Sequence, residues 1–525
     1  MVLAGGAGEA PSPFAGAREQ VAQSEGFLAS EEAWEMKHSD IERAIEERGR
    51  ELMRMWYQAW LDLQAQGVVK QPVVDAAGKE RTRKRPQSRE LETIFGTVTV
   101  ARTGYGTEGE ESLHPLDAKL NLPEERYSLE LRRRAAEEAS KNSFDETVQT
   151  LARYTGAHVP KRQVEELVQR AAQDFDAFYE ARHDAEVAAS AETGSVLVIT
   201  SDGKGVVMHT ADLRPATRKA AERKQHKLKT RLSKGEKRNR KRTATVAAVY
   251  TVPPYVRTPE QMLETVARTK AEPPDPPRPR PARKRVWASV EQEPEDVLPE
   301  AFREALDRDP TGEKQWVAVV DGNETQIDIL EQLAEDYGIE LTIILDLFHV
   351  LGYLWKAAHA LEREGSAELE AWVLERLLEI LRGNASHVAA GMRRSATRRH
   401  LSKRQRKPVD RCADYLLDYK PYLAYDQYLA DGLPIASGVI EGACRHLVKD
   451  RLGRTGARWR LPGAEAVLRL RALRTSNDFD EYWHFHEACE FERNHQARYA
   501  DGKVPATQLP AGVRSRNAAR LTRLK

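Results

Sequence analysis

The chain has 525 residues, of which 40% are hydrophobic and 31% are charged. This composition is typical of a globular protein in water and excludes a fibrous or membrane-embedded one. The length predicts two to four domains. No apolar run approaches the roughly 20 residues of a membrane helix, and no secretion signal is recognisable, so a cytoplasmic location is expected. Three widely spaced cysteines, Cys412, Cys444 and Cys489, indicate neither a zinc site nor a disulfide framework.

The formal net charge is only +1, but positive charge is concentrated in particular segments of the chain. Residues 211–242 contain 14 Lys and Arg against 3 Asp and Glu, and residues 393–407 contain 8 Lys and Arg without an acid. One such run is often only a solvated loop. Several runs in one chain favour a polyanionic partner, because each phosphate that a protein neutralises releases counterions.

The N-terminal third divides into three regions. Residues 1–30 are rich in small side chains and are expected to lack regular structure. Residues 31–127 are expected to hold an amphipathic helix and a β-hairpin centred on Gly96. Residues 128–190 resemble a helix-turn-helix DNA-binding region, with a capping-box pattern at Ser143 and a second helix starting at Pro160.

The first turn of that second helix carries side chains of the kind that read base edges in the major groove: Lys161, Arg162 and Gln163. An ordinary helical hairpin would give the same pattern, so both interpretations stay open at this point.

Residues 191–346 alternate between buried-type strands and helices. The predicted strands are 196–200, 245–252, 285–290, 316–320 and 341–345. Helical stretches at 296–307 and 326–337 separate the last three strands. This order predicts a mixed α+β and α/β fold, with an RNase H-like catalytic core built on a mixed five-stranded sheet. Two inserts interrupt it, the basic one at 211–242 and a Pro/Arg-rich one at 272–284.

The remaining chain is expected to form a helical insertion at 347–433 and a C-terminal region at 434–525, containing a helix that carries an acid and a basic tail.

Two acids follow strands of the predicted sheet. Asp202 follows the first strand, where Gly203 and Gly205 would let the chain turn, and Asp321 follows the fourth. Each alone would be a common turn residue. Because the two strands are expected to be parallel neighbours, the acids should lie side by side, where they repel unless a cation bridges them. Two Mg²⁺ or Mn²⁺ ions are the expected cofactors.

A third acid, Glu441, begins a helix after Ser437 and is expected to reach the same edge, although a solvated helix glutamate is the common alternative. The residues expected to contact DNA around it are Arg445, Lys449, Arg454, Arg458 and Trp459. In the basic insert they are Lys237, Arg238, Arg240, Lys241 and Arg242.

Four segments resemble the signatures of the bacterial ISKra-type insertion-sequence transposases, in the Mutator-like DDE group. They are Ser-Asp-Gly-Lys-Gly205, Val-Asp-Gly-Asn323, Asp-Leu-Phe-His349 and Gly-Val-Ile-Glu-Gly-Ala-Cys-Arg-His446. The resemblance spans about residues 88–495. It implies a catalytic, metal-binding triad of Asp202, Asp321 and Glu441, with Asp346 and His349 close by. His349 would contact DNA or orient a carboxylate.

The same resemblance implies a nucleoid-associated enzyme that hydrolyses phosphodiesters and joins the freed 3′ ends by transesterification. Its partners would be double-stranded DNA, as terminal inverted repeats and target, and further copies of itself in a homodimer or higher oligomer. Two rivals stay open: a transposase-derived DNA-binding protein without catalysis, and an RNase H-like nuclease that cuts without joining.

Overall fold

The computed structural model describes residues 12–185, 194–223, 228, 240–267, 277–454 and 456–509. The first elements are α1 (Ala15–Leu28), α2 (Glu31–Glu35), α3 (His38–Ala65), β1 (Val68–Val69), β2 (Arg83–Thr93), β3 (Gly96–Gly106), α4 (Pro115–Lys119), α5 (Leu129–Lys141), α6 (Phe144–Tyr154) and α7 (Lys161–Ala171).

Helix α1 differs from the absence of regular structure expected before residue 30. The helix is held by packing: Ala17 is buried, and the Arg48 guanidinium of α3 lies 4.0 Å from the ring centre of Phe27. Small residues that give no periodic signal of their own can still form a helix where a longer neighbour covers them.

Helices α6 and α7 form the predicted helical pair. The Ser143 hydroxyl accepts the backbone N–H of Glu146 at 3.2 Å, and the Glu146 carboxylate accepts the backbone N–H of Ser143 at 2.8 Å. This reciprocal capping fixes the start of α6. Helix α7 buries Val164 and Leu167, which leaves its first turn outward.

The central part of the chain begins with α8 (Phe175–Ala185), β4 (Val196–Val207), α9 (Pro215–Arg223), β5 (Lys241–Val252), α10 (Pro259–Ala267), β6 (Ala282–Ser289), α11 (Pro294–Arg308), β7 (Gln315–Val320), α12 (Glu324–Tyr337) and β8 (Leu341–Leu345). Strands β4 to β8 form one sheet in the order β6-β5-β4-β7-β8. Strand β5 is antiparallel to both β4 and β6, whereas β7 runs parallel to β4 and β8 parallel to β7. This mixed five-stranded sheet is compatible with an RNase H-like core.

Both predicted inserts contain regular structure. The basic insert opens with α9, and its last residues, Lys241 and Arg242, already pair with β4. The Pro/Arg-rich insert ends earlier than expected because β6 begins at Ala282, where Thr251 of β5 pairs with it. Edge pairing extends strands into segments whose composition alone indicates a loop.

Residues 347–433 are helical wherever they are regular, as α13 (Leu347–Ala358), α14 (Ala367–Leu381), α15 (Ala385–Arg398), α16 (Lys403–Asp418) and α17 (Tyr425–Ala430). The chain continues as α18 (Gly438–Ala443), a π-helical turn (Cys444–Lys449), α19 (Asp450–Leu452), α20 (Leu461–Ser476), α21 (Phe479–Asn494) and β9 (Thr507–Gln508).

One face of the sheet shares a hydrophobic core with these helices. Val198 and Val319 from the sheet belong to the same buried cluster as Leu354 of α13, Leu377 of α14 and Leu416 of α16. Burial of such a contiguous apolar surface is the main stabilising contribution to this part of the chain.

The chain divides into two compact units, one made of Met1–Asp174 and Asp480–Lys525 and the other of Phe175–Phe479. Strands β1 and β9 pair with each other in the first unit, which joins its two chain segments. Among the described residues, no helix has the length and apolar character needed to cross a bilayer.

Candidate metal centre

Asp202 lies within β4, not after it. Pairing of β4 with β7 ends at Thr200, whereas pairing with β5 continues through Asp202 to Val207. The expectation that Gly203 and Gly205 form a turn is therefore wrong. Neither has a positive φ, and a Cβ on Gly205 would come within 2.7 Å of the Lys241 side chain. The glycines allow close approach of side chains from β5.

Asp321 follows β7 directly, in a tightly held turn. The Asn323 N–H donates to the Asp321 carboxylate at 2.9 Å, and Gly322 has a φ of +88° that suits glycine. The hydroxyl of Tyr415 donates to the carbonyl of Asp321 at 3.0 Å, and that of Tyr419 to the carbonyl of Gly322 at 2.6 Å. Burial raises the pKa of Asp321, and the charge of Asp202 raises it too, whereas the Asn323 N–H and His349 act in the opposite direction.

His349 completes a group of three side chains. Helix α13 starts immediately after β8, which places His349 in its first turn. One ligand atom each of Asp202, Asp321 and His349 lies within 4.8 Å of the others. The His349 side chain is 42% exposed, but its Nδ1 atom is buried and has no hydrogen-bond partner among the described residues. This nitrogen lies 4.0 Å from a carboxylate oxygen of Asp346. Two carboxylates and an imidazole gathered in this way fit a divalent cation.

Asp346 lies next to this group but uses both its oxygens elsewhere. One accepts the N–H of Phe348 at 2.7 Å, which caps α13, and the other accepts the N–H of Ser437 at 2.8 Å. Burial raises the pKa of Asp346, although the two N–H groups counteract it. Asp346 is therefore a positioning residue that holds the start of the His349 helix against the start of the Glu441 segment.

Glu441 is exposed on α18 and is not one of the side chains that the structure gathers around Asp202. The contact with Asp202 comes instead from Cys444, one helical turn later, whose thiol donates to the carboxylate at 3.2 Å. Burial raises the pKa of Cys444, and Asp202 adds to the shift, so the thiol stays protonated as a donor. The cysteine spacing that excluded a zinc motif gave no signal of this contact.

Of the DNA-contacting residues predicted after Glu441, four are exposed: Arg445, Lys449, Arg454 and Arg458. Trp459 is not exposed, so the prediction that it contacts DNA is wrong. It is only 5% exposed, pairs with Met208, and its indole N–H donates to the carbonyl of Leu452 at 3.1 Å. A tryptophan buried in this way packs the interior and offers no surface to DNA.

The prediction that Arg242 contacts DNA is also wrong. Arg242 is 9% exposed, and its guanidinium donates to the backbone carbonyls of Val290, Asp212 and Glu291. The guanidinium thus satisfies three backbone carbonyl groups next to the sheet, so it is not available to bind a phosphate. Its neighbour Lys241 is exposed and Arg240 is partly buried, whereas Lys237 and Arg238 lie outside the described residues.

In the unit that contains Met1–Asp174, the first turn of α7 carries the three side chains that are predicted to read DNA bases. All three form ion pairs or hydrogen bonds within the protein. Lys161 lies 2.7 Å from Asp145, and Arg162 lies 3.1 Å from Glu166, which also accepts from Gln163 at 3.0 Å. The Arg162 side chain is still 87% exposed. Exposed pairs of this kind contribute little stability and are readily exchanged for a phosphate or a base.

A second group of possible metal ligands lies in that unit, formed by Asp174, His486 and Glu490. Cationic side chains already occupy it. The Arg132 guanidinium is 2.8 Å from Glu490 and 2.9 Å from His486, and Arg493 pairs with both acids. Because a buried guanidinium would repel a metal ion, this group is an internal ion-pair network.

No protein-family model and no curated protein matches this chain. Among solved structures, the chain is similar to one described as the Drosophila P element transposase strand transfer complex, with 10% sequence identity and a TM-score of 0.22. The match covers 74% of this chain and 85% of that one.

Proposed function

We propose that the protein is a metal-dependent DNA transposase of the ISKra type, with an RNase H-like core, that cleaves DNA at the ends of an insertion sequence and joins them to a target. One observation carries the proposal: Asp202 and Asp321, from adjacent parallel strands, and His349 each bring a ligand atom within 4.8 Å of the others. Carboxylates paired at this distance repel one another, so the arrangement favours a bound cation.

Asp202, Asp321 and His349 would hold one divalent ion, Mg²⁺ or Mn²⁺. Glu441, one turn before Cys444, would serve a second ion together with Asp202. Bound divalent ions supply two things to phosphodiester chemistry: they activate the attacking oxygen and stabilise the leaving one. A histidine ligand suits Mn²⁺ better than Mg²⁺, because Mg²⁺ prefers oxygen donors.

The protein's own groups orient this centre and hold the DNA. Asp346 positions the helices that carry His349 and Glu441, and Tyr415 positions the Asp321 turn. Exposed cations that follow Glu441 in the chain, together with one at the start of β5, would bind the DNA backbone: Arg445, Lys449, Arg454, Arg458 and Lys241. Lys161, Arg162 and Gln163 would read the terminal repeats, and Lys237, Arg238 and Arg240 would contact DNA from the basic insert. A dimer or higher oligomer would bring two DNA ends together.

The proposed function is tested with the full-length chain and a plasmid carrying the DNA that flanks its gene on both sides, in the presence of Mg²⁺ or Mn²⁺. Asp202→Asn and Asp321→Asn should lose Mn²⁺ binding, strand cleavage and joining, while they retain DNA binding. Glu441→Gln should lose cleavage and joining but keep one of two Mn²⁺ ions. The exposed Asp328→Asn is the matched control.

The outcome distinguishes the transposase from the two alternative functions. Cleavage without joined products would identify a nuclease, and DNA binding without metal-dependent cleavage would identify a binding protein. Near wild-type joining by Asp202→Asn would remove the metal centre from the mechanism.

A further inference from the structure

Helices α15 and α16 form a hairpin with a strongly basic exposed surface. Six of its exposed cations have no acidic partner among the described residues: Arg394, Arg398, Lys403, Arg404, Lys407 and Arg411. We call these six residues the basic hairpin. Their spacing places Lys403, Lys407 and Arg411 four residues apart on α16, so they follow one another along one side of the helix.

The acids nearby are already used by other arginines. Asp414 pairs with Arg393, and Asp410 lies 2.9 Å from Arg406. Across the hairpin, Arg406 also donates to the Thr397 hydroxyl at 2.9 Å. The charge of the basic hairpin is therefore not neutralised within the helix pair, and it persists as a positive surface.

The far end of α16 is fixed to the candidate metal centre. Tyr415 and Tyr419 donate to the carbonyls of the Asp321 turn, and the ring of Tyr415 stacks on Tyr353 with centroids 4.0 Å apart. A helix held at one end by two hydrogen bonds and a ring stack projects its other end at a defined distance.

That distance follows from helix geometry. Twelve residues separate Tyr415 from Lys403, and a rise of about 1.5 Å per residue gives roughly 18 Å along the helix. Base pairs of duplex DNA are stacked about 3.4 Å apart, so the same length spans roughly five base pairs. Arg411, one turn from Tyr415, lies about 6 Å along the same axis.

We propose that the basic hairpin binds the backbone of duplex DNA over about five base pairs on one side of the bond that the Asp202–Asp321 centre cleaves. This inference rests on the proposed function. A duplex is favoured over a single strand because cations at fixed spacing on a rigid helix match a regularly spaced row of phosphates, whereas a flexible strand gains nothing from the rigidity.

The first test measures the binding of a 30-base-pair duplex and of a 30-nucleotide single strand by fluorescence anisotropy over a series of KCl concentrations. Replacing all six cations with Gln should reduce the log–log salt slope on duplex by up to about five, at about 0.9 per lost phosphate contact. Arg404→Gln/Arg411→Gln should reduce it by up to about two. The control Arg376→Gln/Arg382→Gln changes two cations of the same insertion that lie beside acids on α14, and should leave the slope unchanged.

Replacing Arg394, Arg398, Arg404 and Arg411 with Lys preserves the charge and should preserve the slope, which separates loss of charge from misfolding. An unchanged slope in the six-residue Gln variant would overturn the proposal. An equal loss on the single strand would overturn the assignment to a duplex and indicate single-stranded nucleic acid.

The second test uses the bond that the wild-type protein cleaves. Duplexes are shortened stepwise on either side of it, and cleavage by the wild type and the six-residue Gln variant is compared. The advantage of the wild type should disappear when fewer than about five base pairs remain on one side. Cleavage with no such length dependence would refute the hairpin contact and leave the proposed function intact. A slope change without any cleavage would refute the proposed function and leave the contact intact.

Discussion

The carboxylate of Asp346 accepts the backbone N–H of Ser437 at 2.8 Å, although 91 residues separate the two along the chain. The same carboxylate caps α13 through Phe348. One buried side chain thus connects the end of β8 with the two segments that carry His349 and Glu441.

Asp346→Asn should weaken this connection without removing a metal ligand. An amide can accept only one of the two N–H groups and turns its own donor toward the other, which should reduce the free energy of unfolding by about 1 to 3 kcal/mol. Cleavage should slow by about 10- to 100-fold, as is typical for groups that orient ligands. Thermal melts and single-turnover cleavage measure the two effects. Loss of an ion in Mn²⁺ titration, as severe as in Asp202→Asn, would make Asp346 a ligand instead.

Asp321→Asn should stabilise the metal-free protein at neutral pH. Burial raises the pKa of Asp321 in the folded state above its ordinary value, so the folded state binds the proton more tightly than the unfolded state. The resulting stabilisation is complete below the unfolded pKa and is lost as pH rises through the folded pKa. At pH 7 the ionised carboxylate is therefore a destabilising group, which the amide removes.

Melting temperatures in EDTA check this prediction, with Asp328→Asn as the control. The variant should melt above the wild type at pH 7, and the difference should shrink as pH falls toward the folded-state pKa of Asp321. Adding Mn²⁺ should raise the melting temperatures of the wild type and of Asp328→Asn, but not that of Asp321→Asn. A variant less stable than wild type at pH 7 would mean that the Asp321 charge is compensated within the protein.

Cys444 should make the centre sensitive to soft metals. Its thiol lies 3.2 Å from an Asp202 oxygen, and a soft ion such as Cd²⁺ recruits and deprotonates a thiol that it coordinates. Cd²⁺ should inhibit the wild type in competition with Mn²⁺, and Cys444→Ala should need roughly tenfold more Cd²⁺ for the same inhibition. Cleavage in Mn²⁺ by Cys444→Ala should stay within a few fold of wild type, because thiols are weak donors. Cys412→Ala, which alters a buried cysteine elsewhere, is the control. Identical inhibition of both variants would exclude Cys444 from the ion's surroundings.

Arg162→Ala should weaken binding to the correct DNA end by about 1 to 3 kcal/mol and relax base preference at one position, if the exposed guanidinium reads a base edge. The control is Arg170→Ala in the last turn of the same helix, since Arg170 lies away from the first turn and pairs with the largely buried Glu125 at 2.6 Å. Binding to the flanking DNA and to scrambled duplexes of equal length distinguishes the two modes. A uniform loss on both duplexes would identify Arg162 as a phosphate contact.

The positions of the five central strands could be predicted from sequence, because their apolar runs are short and clearly bounded. The continuation of β4 beyond Asp202 to Val207 could not be predicted. Asp-Gly-Lys-Gly has the composition of a turn, and only the long-range partner β5 keeps it extended. The burial of Arg242 and Trp459 was missed for the same reason: both lie in basic segments but are covered by residues distant in sequence.

The sequence resemblance predicts His349 near the acids, but it does not predict that His349 belongs to the same close group as Asp202 and Asp321. Its proximity to them follows from the start of α13 directly at the end of β8, a boundary that depends on the capping by Asp346. Local sequence indicates a helix there but does not set the direction in which its first turn points.

The unit formed by Met1–Asp174 and Asp480–Lys525 has a consequence for synthesis. Arg132, with a side chain only 1% exposed, pairs with Glu125 from the early segment but takes its other partners, Glu490 and His486, from the late segment. Strand β1 likewise pairs with β9 from the late segment. The ribosome therefore releases all of Phe175–Phe479 before this unit can be completed. A truncated product ending before α21 would keep the Glu125 pair of Arg132 but lack Glu490, His486 and β9. Such a fragment could not complete the packing of the unit to which its own N-terminal segment belongs.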